Sequence, residues 1–153
     1  MSILVLEWTR LSRALITGIS GGMTSTCQTR SLSGKRLSRK ERGAGALDNI
    51  TFHQCSRDSL NIDQWDVSID FVLIMMMLHE VLDADRLIQE VHRALAPNGR
   101  MLFSEPIMHV GKGKFQDSVS MIQRAGFSFC ESPKIHLCRS AVFKKETAKA
   151  SGD

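Results

Sequence analysis

The stretch "SIDFVLIMMMLHEVLDADRLIQEVHRALAPNGRMLFSEP", residues 68–106, decides the fold because its hydrophobic pattern changes twice. It opens on an almost unbroken apolar run at residues 69–77, as expected for a strand covered on both faces in a parallel sheet. Apolar residues then recur at helical spacing within residues 83–99, and residues 100–105 return to a strand pattern. The stretch predicts a strand, a helix and a second strand.

The predicted helix has one apolar side and recognisable ends. Asp83 or Asp85 can cap its first turn, and the turn residues 97–99 can stop it. The apolar side is formed by Leu87, Ile88, Val91, Ala94 and Leu95.

The rest of the second half continues the alternation of strands and helices. Residues 50–55 are β-prone, a second helix is predicted at about 114–125, and β-prone runs follow at 127–131 and 135–144. The last two runs flank a short turn containing Pro133 and are predicted to pair as an antiparallel hairpin. The second helix is expected to end at Gly126 and to bury Phe115, Val119, Ile122 and Ala125. This order predicts an α/β domain with a mostly parallel sheet.

The first third lacks such a pattern. Residues 3–6 and 14–17 have strand character, but residues 9–16 also fit a short helix, and both interpretations cannot hold where they overlap. Between residues 18 and 47, Gly, Ser, Thr, Lys and Arg dominate without a sustained apolar face. We expect one domain over 1–153, divided into an irregular basic part (1–47), a well-patterned α/β part (48–145) and a tail (146–153).

The excess positive charge is concentrated at the start of the chain. Residues 1–47 carry eight Lys and Arg against two acidic residues, whereas the remainder carries 12 basic and 14 acidic residues. The basic cluster at 35–42 could contact nucleic acid, but no aromatic side chain alternates with the charges as a stacking platform requires. A solvated segment is the simpler interpretation, and nucleic-acid binding is retained only as a weak alternative.

The sequence contains no targeting or membrane signal that we recognise. No apolar run approaches the roughly 20 residues needed to cross a bilayer, and the N-terminus lacks the basic region and cleavage site of a secretory signal. We expect a cytoplasmic protein. Four cysteines occur without a CxxC pair, so free, mostly buried thiols are the expectation; they are Cys27, Cys55, Cys130 and Cys138.

Residues from about 49 to 145 resemble the class I S-adenosylmethionine-dependent methyltransferases. The resemblance rests on "NITFHQCSRDSL", on the stretch quoted above, and on "FQDSVSMIQRAGF" followed by "ESPKIHLCRSAVFKK". Its most specific part is a strand ending in "LHEV", a helix and then "LAPNGRML". It implies a Rossmann-like methyltransferase sheet, mostly parallel with a C-terminal antiparallel hairpin and an incomplete or irregular N-terminal third. It also implies S-adenosylmethionine as cofactor and a small-molecule methyl acceptor.

The resemblance also implies cofactor contacts at the carboxyl ends of the first strands. Glu7 stands where the family has an acidic residue after its first strand, and "TRLSRAL" stands where the family's next helix begins. Ser56 and Arg57 stand where an acidic residue usually meets the adenine; the Ser56 hydroxyl is a weaker acceptor than a carboxylate. Ile74 and Met75 stand where the chain borders the methionine part of the cofactor, although methionines there also serve as pliable core filling.

The glycine loop of the family is missing from its usual place. Trp8 stands where the chain must be small. The segment "ALITGISGGMT", residues 14–24, offers Gly18, Gly21 and Gly22 as a substitute, but a lone glycine cluster is a weak signal. This segment also resembles the loop of short-chain dehydrogenases, whose Tyr/Lys catalytic pair is impossible in a chain without tyrosine.

Two histidines are the candidate catalytic residues. His79 and His109 follow the two strands at the end that opens on the substrate in the resembling family, and an imidazole titrates near neutral pH. Loop packing is the alternative role for both. His53 with Cys55, and His136 with Cys138, alternate on predicted strands, but no further ligands lie at zinc spacing and we expect no metal site. The function predicted is methyl transfer; the alternative is a catalytically inactive scaffold or partner-binding protein.

Overall fold

The apolar run near residue 70 forms the central strand of a sheet. In the computed structural model, β5 (Ile69–Met75) lies between two parallel neighbours, β1 (Ile3–Thr9) and β6 (Leu95–Pro106). Val72 and Ile74 of β5 are fully buried. The predicted central strand is therefore confirmed, with its end at Met75 rather than at residue 77.

The structure describes residues 2–9, 12–16, 24–27, 51–53 and 59–146, and the side chains of residues 2–6 and 59–146. The other strands in this part of the chain are β2 (Ser12–Ile16), β3 (Thr24–Cys27), β4 (Thr51–His53), β7 (Phe127–Glu131) and β8 (Cys138–Lys145). Their order across the sheet is β4-β3-β1-β5-β6-β8-β7, with β2 paired to β1. Strand β8 runs antiparallel to both β6 and β7, and the pairs β1–β3, β3–β4, β1–β5 and β5–β6 are parallel. The mostly parallel sheet with a C-terminal antiparallel hairpin is confirmed.

The first helix, α1 (Ala84–Ala94), begins at a capping residue and ends where the chain enters β6. Asp83 is the N-cap, and its carboxylate accepts a hydrogen bond from the backbone N–H of Arg86 at 3.0 Å. The helix ends before the turn at 97–99, because Leu95 already pairs with Ile69 at the start of β6. The predicted stop at that turn is therefore a few residues late. All five residues of the predicted apolar side are buried.

The turn after α1 requires its glycine for a steric reason. A Cβ on Gly99 would lie 2.7 Å from Cδ2 of Leu95 and 2.9 Å from the carbonyl oxygen of Ala96. Asn98, beside it, has a φ of 65°, a conformation that asparagine tolerates better than most residues. The residue types of "PNG" thus suit the backbone conformation of this turn. The turn lies within β6, where the pairing of β6 with β5 is locally irregular.

One acidic residue of α1 is buried, contrary to the usual placing of charge. Glu90 is 5% exposed, and its Oε2 accepts a hydrogen bond from the backbone N–H of Leu60 at 2.6 Å. Its Oε1 accepts one from Nε of Arg86 at 3.3 Å. The carboxylate is therefore satisfied on both oxygens, and it fastens the segment before β5 to the middle of α1.

The second helix, α2 (Lys112–Arg124), lies between β6 and β7 as predicted, starting two residues earlier than expected. Val119 and Ile122 are buried, and Phe115 and Ala125 pack against the same core at partial burial. Side chains of both helices join those of β1, β5, β6, β7 and β8 in one apolar cluster. The core therefore lies between the helices and the sheet.

Gly126 ends the second helix in a left-handed conformation, with a φ of 96°. Substituting Gly126→Ala should lower the free energy of unfolding by about 1–2 kcal/mol, because Ala is strained at this φ and its Cβ would lie 3.0 Å from Nε2 of His92. Urea unfolding measures the loss. The matched control is Gly113→Ala, inside the same helix, where a Cβ meets nothing within 4 Å and a small gain is expected. Equal effects of the two substitutions would contradict this account.

His92 of α1 should make stability depend on pH. Burial lowers the pKa of His92 below 6.5, and the charge of Lys145 acts in the same direction, against weaker opposing effects of Gly126 and Glu146. Because the unfolded chain binds this proton more tightly, the contribution is complete above pH 6.5 and is lost as pH falls below that value. Urea unfolding between pH 5 and 8 should show that the free energy of unfolding falls less toward acid pH in His92→Gln than in wild type. The exposed His136→Gln should behave as wild type, and an unchanged slope in His92→Gln would refute the assignment.

The start of the chain differs from the expectation carried by the resemblance. Residues 12–16 form β2, antiparallel to β1 with Leu6 opposite Ile16 and Thr9 opposite Ser12, so a helix at "TRLSRAL" is wrong. The first residues of β1 pair with β3, and the later ones pair with β2 on the same side. Strand β2 thus supplies backbone partners to the end of β1 that β3 leaves unpaired.

The C-terminal hairpin allows several smaller predictions to be compared with the structure. Strand β8 begins at Cys138, so His136 lies in the preceding turn and does not share a strand face with it. Cys130 and Cys138 are free thiols; Cys138 is half-buried, but Cys130 is exposed, so the expectation of a mostly buried thiol is wrong for Cys130. Across the described ranges, no three His, Cys, Asp or Glu side chains come together in a group that could hold a metal ion. No helix among the residues described has the length and apolarity to cross a bilayer.

Candidate functional site

The site lies where β5 and β6 end side by side. Met75 and Ser104 are neighbours in the register, and the N–H of Met76 donates to the carbonyl oxygen of Ser104 at 2.8 Å. Met76 then adopts a φ of 54°, which turns the chain into a single turn of 3-10 helix at Leu78–Glu80. This turn brings His79 beside Glu105 at the end of β6.

His79 and Glu105 form a hydrogen-bonded pair. Nδ1 of His79 lies 2.6 Å from Oε2 of Glu105, and Oε1 accepts a hydrogen bond from the backbone N–H of His79 at 3.2 Å. The Glu105 side chain is 1% exposed, and that of His79 is 21% exposed. A buried carboxylate that holds both the ring and the backbone fixes the orientation of the imidazole and directs Nε2 away from Glu105.

The carboxyl group of this pair feels two opposing influences. Burial raises the pKa of Glu105 above its usual value, while the charge and hydrogen bonds of His79 and the N–H of Leu78 lower it. Burial is the larger influence, so the pKa of Glu105 is raised overall. A neutral imidazole whose Nδ1 donates to a carboxylate has its lone pair on Nε2 and can accept a proton there.

Two further side chains surround the outer face of His79. Oε1 of Glu80, on a half-exposed side chain, lies 3.5 Å from Nε2 of His79. The ring of His109 approaches that of His79 edge-on, with centroids 6.1 Å apart. His109 belongs to the turn after β6, where its N–H donates to the carbonyl oxygen of Pro106. The structure therefore brings the two predicted catalytic histidines together.

The residues expected to bind the cofactor are only partly described. Glu7 pairs with Met75 in the parallel register of β1 and β5, so the acidic position and the methionine position are adjacent at one edge of the sheet. Met75 is half-buried, whereas the side chain of Ile74 is fully buried in the core and leaves only backbone for a contact. Gly18, Gly21, Gly22, Ser56 and Arg57 lie outside the described residues.

Sequence reasoning did not identify Glu105 as a site residue. It follows a strand in "SEP", as His79 follows one in "LHE", and 26 positions separate the two residues. The available signal was that β5 and β6 were predicted as parallel neighbours, which places the residues after both strands at one edge.

This fold, an open and mostly parallel sheet with a C-terminal antiparallel hairpin and helices packed against it, is that of the Rossmann-like methyltransferases. The family model described as a methyltransferase domain matches residues 9–103, and the chain belongs to this family. The recognition made from residues 49–145 is thereby confirmed.

Three known proteins show how the chain compares. The probable polyketide synthase 5 of Dictyostelium discoideum is 28% identical over 112 residues, which is 69% of this chain and 4% of that protein's length. The cyclase SpnF superposes with a TM-score of 0.65 at 14% identity, covering 79% of this chain and 65% of SpnF. An S-adenosylmethionine-dependent methyltransferase from Mesorhizobium loti gives a TM-score of 0.60 at 19% identity, covering 78% and 79% of the two chains.

Proposed function

We propose that this chain transfers a methyl group from S-adenosylmethionine to a small-molecule acceptor, with His79 as the general base. The observation that carries the proposal is the 2.6 Å hydrogen bond between Nδ1 of His79 and buried Glu105. When bound, S-adenosylmethionine would supply the methyl group to the acceptor atom, with its sulfur as the leaving group. The proton lost by the acceptor goes to Nε2 of His79, and Glu105 stabilises the charge that the ring acquires.

The cofactor supplies an electrophilic methyl group on a positively charged sulfur. Glu7 and Met75 are proposed to hold it, with Ile74 contributing backbone and with Gly18, Gly21, Gly22, Ser56 and Arg57 as further proposed contacts. Family membership supports S-adenosylmethionine as the methyl donor. Most of the rate is expected to come from alignment of the two reactants, and His79 adds the removal of the proton.

Binding of S-adenosylhomocysteine tests the cofactor part of the proposal. At a free concentration about a hundredfold above its dissociation constant, the ligand should add about 2.7 kcal/mol to the free energy of unfolding, because it binds only the folded chain. A thermal melt with and without ligand measures this, and Glu7→Gln should weaken the shift. The control is adenosine at the same concentration. If the melting temperature does not rise at millimolar S-adenosylhomocysteine, the proposal is contradicted.

A non-catalytic scaffold is the second candidate, and one observation favours it. Strand β1 runs to Thr9 and returns through β2, where the family's glycine loop would be expected. A chain that keeps the fold but has lost this loop would give no response to S-adenosylhomocysteine. A cytoplasmic location stays a prediction. Nucleic-acid contact through residues 35–42 also stays a prediction, since that basic segment is outside the described residues.

A further inference from the structure

Exposed apolar side chains are concentrated around the histidine–glutamate pair. Among the described residues, seven large apolar side chains are exposed, and five of these come from loops at the edge where β5 and β6 end. We call these five the apolar rim: Met76, Leu82, Ile107, Met108 and Leu137. The other two, Val67 and Phe129, lie before β5 and within β7.

The loops of the apolar rim are joined to the site by short stretches of chain and by hydrogen bonds. Leu82 follows the turn that carries His79, and Met108 directly precedes His109. The N–H of Ile107 donates to the carbonyl oxygen of Leu137 at 3.0 Å, which fixes the loop after β6 against the loop before β8. Leu82 and Met108 are 82% and 81% exposed. Apolar groups left in water beside a reactive pair favour a ligand that covers them.

Charge at the site selects against one type of ligand. The carboxylate of Glu80, on the turn that carries His79, lies 3.5 Å from Nε2 of His79. A ligand group that reaches Nε2 therefore also comes within a few ångströms of this carboxylate. A negative charge there costs about 1 kcal/mol even at the dielectric constant of water, and more where water is excluded.

We propose that the methyl acceptor is an apolar molecule whose reacting end is not anionic. This inference rests on the proposed function, since it assigns the substrate class of the same site. Its apolar part covers the apolar rim, and its reacting group lies beside Nε2 of His79 and the carboxylate of Glu80.

Binding of straight-chain primary alcohols with six, eight and ten carbons tests the apolar part. Titration calorimetry with the full chain should show affinity rising about twofold to fourfold per methylene, since a fully buried methylene contributes about fourfold. Leu82→Ser and Met108→Ser should each reduce this increment, and Val67→Ser, at a residue that is 57% exposed at the other end of β5, should not. Affinity that does not change with chain length, or an equal loss in Val67→Ser, would overturn the proposal.

The carboxylates of the same chain lengths test the charge part. Each should bind about fivefold or more weakly than the matching alcohol, and Glu80→Gln should narrow that gap. A gap that Glu80→Gln leaves unchanged would overturn this part. Self-association that Leu82→Ser abolishes, without alcohol binding, would assign the apolar rim to a second copy of the chain and also overturn the proposal.

A parallel titration with S-adenosylhomocysteine separates a failure of the proposed acceptor class from a failure of the proposed methyl transfer. If that ligand binds and the alcohols show no dependence on chain length, the acceptor class fails while methyl transfer stands. If the alcohols bind as expected and S-adenosylhomocysteine does not, the apolar ligand is supported and its role as methyl acceptor is overturned.

Discussion

Replacing His79 with Asn should lower the rate of methyl transfer by about 10²–10⁴-fold, the usual contribution of a positioned general base. Asn keeps a nitrogen donor near the place of Nδ1, so the hydrogen bond to Glu105 and the turn at Leu78–Glu80 can persist. What disappears is Nε2, the atom that receives the proton. The measurement is transfer of tritium from S-adenosylmethionine labelled on its methyl group into the organic-soluble fraction of a metabolite extract.

A matched control separates lost chemistry from lost structure. His136→Asn makes the same substitution at an exposed histidine of the turn before β8 and should leave the rate unchanged. The affinity of His79→Asn for S-adenosylhomocysteine should stay within about twofold of wild type, because a base acts on the acceptor and not on the cofactor. A His79→Asn variant that keeps half of the wild-type rate would show that another group takes the proton.

Replacing Phe103 with Ala should cost about 3–5 kcal/mol of unfolding free energy, as expected for a large aromatic side chain lost from a close-packed core. Phe103 is fully buried in β6, between Ile74 of β5 and Ala141 of β8 in the register. Its ring stacks on that of Phe115 with centroids 5.2 Å apart and planes 5° from parallel. Urea unfolding monitored by circular dichroism gives the value.

The comparison for this loss is an aromatic residue on the neighbouring hairpin. Phe129 of β7 is 47% exposed and meets the ring of Phe143 edge-on at 6.0 Å. Phe129→Ala should therefore cost about 1 kcal/mol or less, since much of its area is in water before and after the change. Similar losses for the two substitutions would mean that the core does not pack as described.

The patterned half of the fold was predictable because each element there buries one coherent set of side chains. The apolar run of β5 and the one-sided helix α1 each match a single template, and both are confirmed. The turn at 97–99 was recognised as a break, but its position relative to the helix end was not. That position is set by the pairing of Leu95 with Ile69, a contact between strands that local sequence does not encode.

The less predictable parts depend on contacts between distant segments. Residues 9–16 fit both a helix and a strand, and the pairing of β2 with β1 decides between them. His79 was recognised as a candidate from its place after a strand. Its partner Glu105 was not, since the hydrogen bond between them follows from the turn at Leu78–Glu80 rather than from any spacing motif. The cofactor contacts proposed outside the described residues remain predictions.

The buried carboxylate of Glu90 links α1 to the segment before β5. It holds the backbone N–H of Leu60 from a position in the middle of α1, at 2.6 Å. The segment leading away from Ser56 and Arg57, the proposed adenine contacts, is thereby tied to the helix that precedes the strand bearing Glu105. Because this bond breaks when α1 opens or the segment detaches, Leu60 and the middle of α1 are expected to open together in local unfolding.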